Sequence, residues 1–229
     1  MSSEIVLLSA GKPVSESPAA DWAELAEQRL LDAAILSAPE LGWSRPMLSQ
    51  AAARTRLSPG EIVLLTPNGP SDLVALLSRR HDEAALAALA EVDASNLKMR
   101  ERIRQAVQAR LDAAEVDAPA VRRWAGYLAL PPNLPLALRL TWESADRLWI
   151  WAGDAATDEN HYSKRAILST ILVGGLLLRL HTGREAADAY VDARIDNVMT
   201  FETWKAKLRP VDLARELAGA LGRLRYGRP

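Results

Sequence analysis

Asp154, Asp158, Glu159, His161, Tyr162, Lys164 and Arg165 fall within one 12-residue stretch, DAATDENHYSKR. Side chains of these types could do acid–base chemistry, hold a metal or grip a partner. The acid–base reading is weakened by position, because paired carboxylates such as Asp158-Glu159 are common at helix starts, where they meet the positive end of the dipole. The metal reading is weakened by number. Asp158 and His161 form an acid-x-x-His pair, but a di-iron carboxylate site needs a second such pair and further glutamates on facing helices. His81 and His181 lie in unrelated settings. No G-x-S-x-G turn, G-x-x-x-x-G-K-[ST] loop or G-x-G-x-x-G loop occurs. With no cysteine in the chain, thiolate nucleophiles, disulfides and sulfur-ligated metals are excluded. The expectation is a protein that is not an enzyme and needs no cofactor. Tyr162, Lys164 and Arg165, within about one helical turn of each other, read either as structural side chains or as a surface that binds a partner.

These residues need helices to position them. Gly153 is placed to stop the helix carrying Trp142, Trp149 and Trp151, since only glycine adopts the left-handed cap conformation without a Cβ penalty. Thr157 or Asp158 can cap the next helix. Elsewhere the pattern is also helical. Asp21 to Ala38 has helical apolar spacing, with Pro39 expected to end it. Arg45 to Arg54 has Pro46 in its first turn, and Ser58-Pro59-Gly60-Glu61 is a capping box that opens a third short helix. Longer helices are expected at Ser71 to Glu91, with Ser71 as cap, and at Asn96 to Val116, where Met99, Ile103, Val107 and Leu111 make an apolar stripe. Leu134 to Trp151, Glu159 to Leu180 and Arg184 to Lys207 follow, the last opened by a capping box at Thr182-Gly183-Arg184-Glu185. Strand alternation and hairpin dipeptides are missing, so the fold class is all α.

Length and charge narrow the function further. The chain has 229 residues, 49% hydrophobic content and a net charge of −1, enough apolar residues for a core and no global field to draw nucleic acid. The first 20 residues read as a flexible tail without the positive start of a secretory signal. The longest apolar run, Ile167 to Leu178, is interrupted by Ser169 and Thr170 and falls short of the roughly 20 residues that span a bilayer. Near the end, Leu213, Leu217, Leu221 and Leu224 form one apolar edge. Between Glu202 and Pro229, lysines and arginines outnumber acids seven to three. That edge fits contact with an anionic membrane surface or docking on the protein's own core. Gly174-Gly175 inside an apolar helix points to a close approach by another helix or by a ligand. An elongated apolar pocket could be lined by Ile103, Val107, Leu111, Trp124, Leu128, Leu138, Trp142, Ile171, Leu172 and Leu176; the alternative is that these are plain core.

The three short N-terminal helices resemble the helix-turn-helix layout of TetR-type regulators. The helix that would read bases, PGEIVLLTP, carries Glu61 as its only charge and no base-reading side chain, which argues against nucleic-acid binding. Together with WAGDAATDENHYSKR, ARIDNVMTFETWKAK and PELGWSR, this layout resembles the lipid-binding accessory proteins of ubiquinone (coenzyme Q) biosynthesis, the ninth-named Coq family. The resemblance spans roughly residues 25 to 210. It implies a TetR-like all-helical fold with a degenerate helix-turn-helix over 21–70, a helical lipid-binding and dimerisation region over 71–209 and a terminal amphipathic helix over 210–229. It also implies a homodimer on the inner face of the membrane, in contact with the cytoplasm, that binds an isoprenoid quinone or phospholipid and serves the di-iron demethoxyubiquinone hydroxylase. By the same resemblance, Asp154, Asp158, Asn160, Tyr162, Lys164 and Arg165 match the hydroxylase-facing motif, while His161 stands where relatives commonly have tryptophan. Arg194, Asp196 and Asn197 match a second motif and could equally be a salt-bridged helix face. The alternative is a TetR-type transcriptional regulator with a lipid effector.

Overall fold

The computed structural model describes residues 18–154 and 159–207 of the chain. The N-terminal tail, the expected caps Thr157 and Asp158, and Leu213, Leu217, Leu221 and Leu224 lie outside these residues. Every regular element among the described residues is helical. The chain divides into two compact units, Met1–Leu73 and Val74–Pro229.

The first unit holds α1 (Pro18–Leu41), α2 (Arg45–Thr55) and α3 (Pro59–Leu65). Leu30, Leu31, Ala34 and Ala38 of α1 are buried, as are Met47, Leu48 and Ala51 of α2. Pro39 does not stop α1, as the sequence led us to expect. It sits inside the last turn, and the helix runs on to Leu41. Its ring removes only one late hydrogen bond, and Gly42, with φ of 65°, makes the actual exit. Ser44 caps α2, its Oγ accepting from the Met47 amide at 3.3 Å. The capping box of α3 is complete: the Glu61 amide donates to Ser58 Oγ at 3.3 Å, and the Ser58 amide to Glu61 Oε2 at 2.7 Å. Glu61 is thereby occupied locally, and its neighbours Val63 and Leu64 are each 70% exposed. A seven-residue helix of this composition offers no donor or acceptor pattern for a base edge.

Downstream come α4 (Pro70–Ala90), α5 (Met99–Glu115), α6 (Ala118–Leu128), α7 (Leu134–Trp151), α8 (Glu159–His181) and α9 (Arg184–Lys207). Three helix starts differ from expectation. The fourth helix begins at Pro70, so Ser71 is inside it. Asn96 belongs to a short 3-10 turn whose cap is Asp93, and α5 starts only at Met99. Gly183, with φ of 115°, precedes α9, so Thr182 is not its cap. Thr182 and Gly183 instead close α8, both amides donating to the Leu178 carbonyl at 2.8 and 3.0 Å.

The core of the second unit gathers Ile103, Val107 and Leu111 of α5, Leu148 and Trp149 of α7, Leu168 and Ile171 of α8, and Val191 and Ile195 of α9. Met99, the first residue of the expected stripe, is exposed. The paired glycines of α8 are explained by helix packing. A Cβ on Gly174 would lie 2.3 Å from Tyr190 Oη and 2.6 Å from Tyr190 Cζ, and one on Gly175 would lie 3.1 Å from Leu111 Cδ1. Gly174→Ala is therefore expected to destabilise by up to about 2 kcal/mol: overpacking costs about 1–3 kcal/mol, against about 1 kcal/mol of gained helix propensity. Urea unfolding reads this out directly, and a stabilised variant would mean that Tyr190 swings aside freely.

Candidate functional site

The sixth helix forms because Pro119 occupies its first turn and Ala120, Val121, Trp124 and Leu128 fall on one stripe that is buried. Pro135 opens α7 in the same way. Between these helices and α8 lies a half-open cavity of about 240 Å³. Its walls are Leu111 of α5, Trp124, Ala125 and Leu128 of α6, Ala137 and Leu140 of α7, and Leu172 and Leu176 of α8. The Trp124 indole N–H donates to the Val74 carbonyl at 2.9 Å, so its polar atom is spent outside the cavity. Leu134, Val173 and Leu177 also line the space and are exposed, which marks them as its mouth.

Ala129 completes the apolar lining, and the polar lining residues are Ser78, Arg110, Thr141 and Ser144. Arg110 is buried within the apolar stripe of α5. Its Nε donates to Asp82 Oδ1 at 2.5 Å, and its Nη2 reaches Ser78 Oγ at 3.5 Å. The Ser144 hydroxyl donates to the same Asp82 oxygen at 2.7 Å. His81, one residue before Asp82 on α4, is buried behind this group with Nε2 2.9 Å from Asp117 Oδ2. Burial, and next the Arg110 charge, lower the His81 pKa to about 4, outweighing the hydrogen bond that its ring donates to Asp117. His81 is therefore neutral at pH 7, and the buried group carries one balanced ion pair. Sequence reasoning missed this group. The available signal was an arginine inside an apolar stripe together with Ser78, His81 and Asp82 at helical spacing on α4.

A second ionic group surrounds the motif after α7. Gly153, with φ of 90°, ends that helix as expected, and the Asp154 amide donates to the Trp149 carbonyl at 3.0 Å. The Asp154 side chain is buried and takes Lys164 Nζ at 2.7 Å and Arg165 Nη1 at 3.2 Å. Arg165 also reaches Asp146 at 2.5 Å. Burial would raise the Asp154 pKa, but the hydrogen bonds from Lys164 and Arg165 prevail and hold it below the usual carboxylate range. Asp154 and Arg165, expected on a partner-facing surface, have buried side chains whose charges tie the end of α7 to α8. His161 and Tyr162 lie differently, with rings 5.2 Å apart in an edge arrangement and Tyr162 66% exposed. Trp142 lies 6.1 Å from the Tyr162 ring and does not line the cavity. Asp158 and the Asn160 side chain lie outside the description.

Of the expected pocket residues, Leu111, Trp124, Leu128, Leu172 and Leu176 meet around the cavity. Ile103, Val107 and Ile171 are solid core, and Leu138 is 71% exposed outside the cavity wall. Arg194 stacks over the Tyr190 ring at 5.3 Å, and Asp196 pairs with Arg100 at 3.6 Å. Arg179, fully buried, meets Asp112, Glu115 and Asp188 and joins α5, α8 and α9. Among the described residues no group of His, Cys, Asp and Glu could hold a metal ion, and no helix is long and apolar enough to cross a membrane.

Residues 134–202, from the start of α7 well into α9, match the family model for COQ9. The chain is 27% identical to the mitochondrial ubiquinone biosynthesis protein COQ9 of Xenopus tropicalis over 82% of its own length and 62% of that protein's. It is 28% identical to COQ9-B of Xenopus laevis, over 77% of the chain and 64% of the relative, and 28% identical to human COQ9, over 65% and 48%. It thus spans less than two thirds of these relatives. Two of the helices that wall the cavity, α7 and α8, thus lie in the part that matches the COQ9 family model, and over most of its length the chain is similar to the ubiquinone biosynthesis proteins COQ9.

Proposed function

We propose that the protein is a non-catalytic lipid carrier of ubiquinone biosynthesis. It takes an isoprenoid quinone intermediate or a phospholipid chain into the cavity and presents the quinone precursor to the demethoxyubiquinone hydroxylase, working as a homodimer at a membrane surface. The observation that carries this reading is the cavity itself, apolar on its walls and open to solvent at a mouth of exposed Leu134, Val173 and Leu177. Apolar space beside exposed apolar side chains suits a ligand that enters from lipid. The similarity to proteins named for ubiquinone biosynthesis supports the choice of lipid. Tyr162, exposed near Trp142, and the half-buried His161 beside it are the motif side chains placed to face the hydroxylase. The transcriptional alternative finds no support in α3. Native mass spectrometry of the purified protein, followed by organic extraction, is expected to show a dimer carrying quinone precursor or phospholipid. A clean species that gains no mass from added isoprenoid would sink the carrier reading.

A further inference from the structure

The cavity is too small for the tail of a polyisoprenoid. An engineered apolar cavity of about 150 Å³ holds benzene, so the 240 Å³ here accommodates a substituted ring or a short piece of chain and little more. A long lipid must therefore place one end inside and leave the rest at the mouth. The polar floor decides which end. A hydrocarbon terminus would cover Arg110, Ser78 and Ser144 and add nothing to the bonds they already make with Asp82 and with one another, whereas an oxygen can also accept from a guanidinium N–H.

The chemistry of the floor selects further. Of the five guanidinium donors, those at Nε and Nη2 account for the Arg110 contacts to side chains among the described residues, the second at a long 3.5 Å. Arginine accepts nothing, so the ligand atom must be an acceptor. Its charge is already balanced by Asp82 at 2.5 Å, so an anion would bury a second, unbalanced negative charge. A neutral oxygen meets both conditions. Resting on the lipid-carrier reading above, we propose that the cavity takes its lipid head first, a carbonyl oxygen of a quinone ring or of an ester lying on the Arg110 guanidinium between Ser78 and Ser144, with the hydrocarbon tail leaving past Leu134, Val173 and Leu177. Arg110 is then the residue that tells a carbonyl-bearing lipid from plain hydrocarbon.

Calorimetric titration of the full chain tests this with the ubiquinone analogue bearing a single isoprene unit, with myrcene as a ringless isoprenoid hydrocarbon, and with phosphatidylcholine vesicles as the ester source. The quinone should bind at least about tenfold more tightly than myrcene, the factor expected of one buried hydrogen bond to a charged donor. Arg110→Leu combined with Asp82→Leu removes the pair together, which buried pairs tolerate better than loss of one partner. That double variant should lose the tenfold preference and keep its affinity for myrcene. Extraction of phosphatidylcholine with the same dependence on Arg110 would assign the ester carbonyl as occupant, and quinone binding alone would assign the ring. Should the double variant fail to fold, Ser78→Ala with Ser144→Ala leaves the ion pair in place and should weaken quinone binding severalfold while sparing myrcene. Equal affinity of the native chain for quinone and myrcene would overturn head-first binding and leave the carrier reading standing. Quinone binding unaffected by the variants would do the same. A native chain that binds no probe would remove both.

Discussion

Arg165→Ala is expected to destabilise the protein by about 3 kcal/mol, the lower end of what breaking a buried ion pair costs. The Arg165 side chain is almost fully buried, as is that of Asp154, so the substitution leaves a carboxylate in a dry site without its arginine. The loss stays at the lower end because Lys164 continues to hold Asp154 at 2.7 Å, and because Asp146, the other partner of Arg165, is partly exposed and can turn to water. Lys164→Ala should cost less, about 1 kcal/mol, since its amine is part-exposed and Arg165 remains behind it. Arg165→Leu combined with Asp154→Leu should recover much of the loss, because it removes both charges at once. Chemical denaturation of the three variants orders them. If Arg165→Ala melts like the native chain and loses only its grip on a partner, Arg165 faces outward and does not hold α7 to α8.

The fate of that motif shows what a sequence can and cannot disclose. Caps are legible because they are local: Ser58 and Glu61 close their box within four residues, and Gly153 ends α7 by its own backbone freedom. The apolar walls are partly legible, because periodicity places Leu111, Trp124, Leu128, Leu172 and Leu176 on inward faces. Periodicity does not separate a wall from a solid core, so Ile103, Val107 and Ile171 share the same pattern and lie in the core instead. Charges next to a turn are the hardest to place. Asp154, Lys164 and Arg165 have the composition of a solvated helix start, and only the return of α8 along α7 encloses two of them. Pro39 misleads for a related reason: near a helix end its missing amide costs little, and the next glycine decides where the helix stops.

His81→Gln is expected to make the protein more resistant to acid between pH 6.5 and 4. His81 is buried, and its pKa falls from an ordinary 6.5 to about 4, first through burial and then through the Arg110 charge. Above pH 6.5 the imidazole is neutral in the folded and the unfolded chain, and it adds no pH dependence. Between the two values the unfolded chain takes up a proton that the folded chain refuses, so stability falls as pH falls. The full effect, reached near pH 4, is about 3 kcal/mol at most. Asp117 and Asp82 oppose the depression while Arg110 deepens it, so the site as a whole still favours the neutral ring. Glutamine retains an N–H to donate to Asp117 Oδ2, the acceptor that now lies 2.9 Å from the ring, and it does not titrate. The variant can therefore be somewhat less stable at pH 7 and yet lose less on acidification. Urea midpoints measured at intervals from pH 7.5 to 4 should converge or cross as the wild-type curve drops faster. Parallel curves would mean that His81 titrates normally in the folded chain, and that water reaches the back of the Arg110–Asp82 pair.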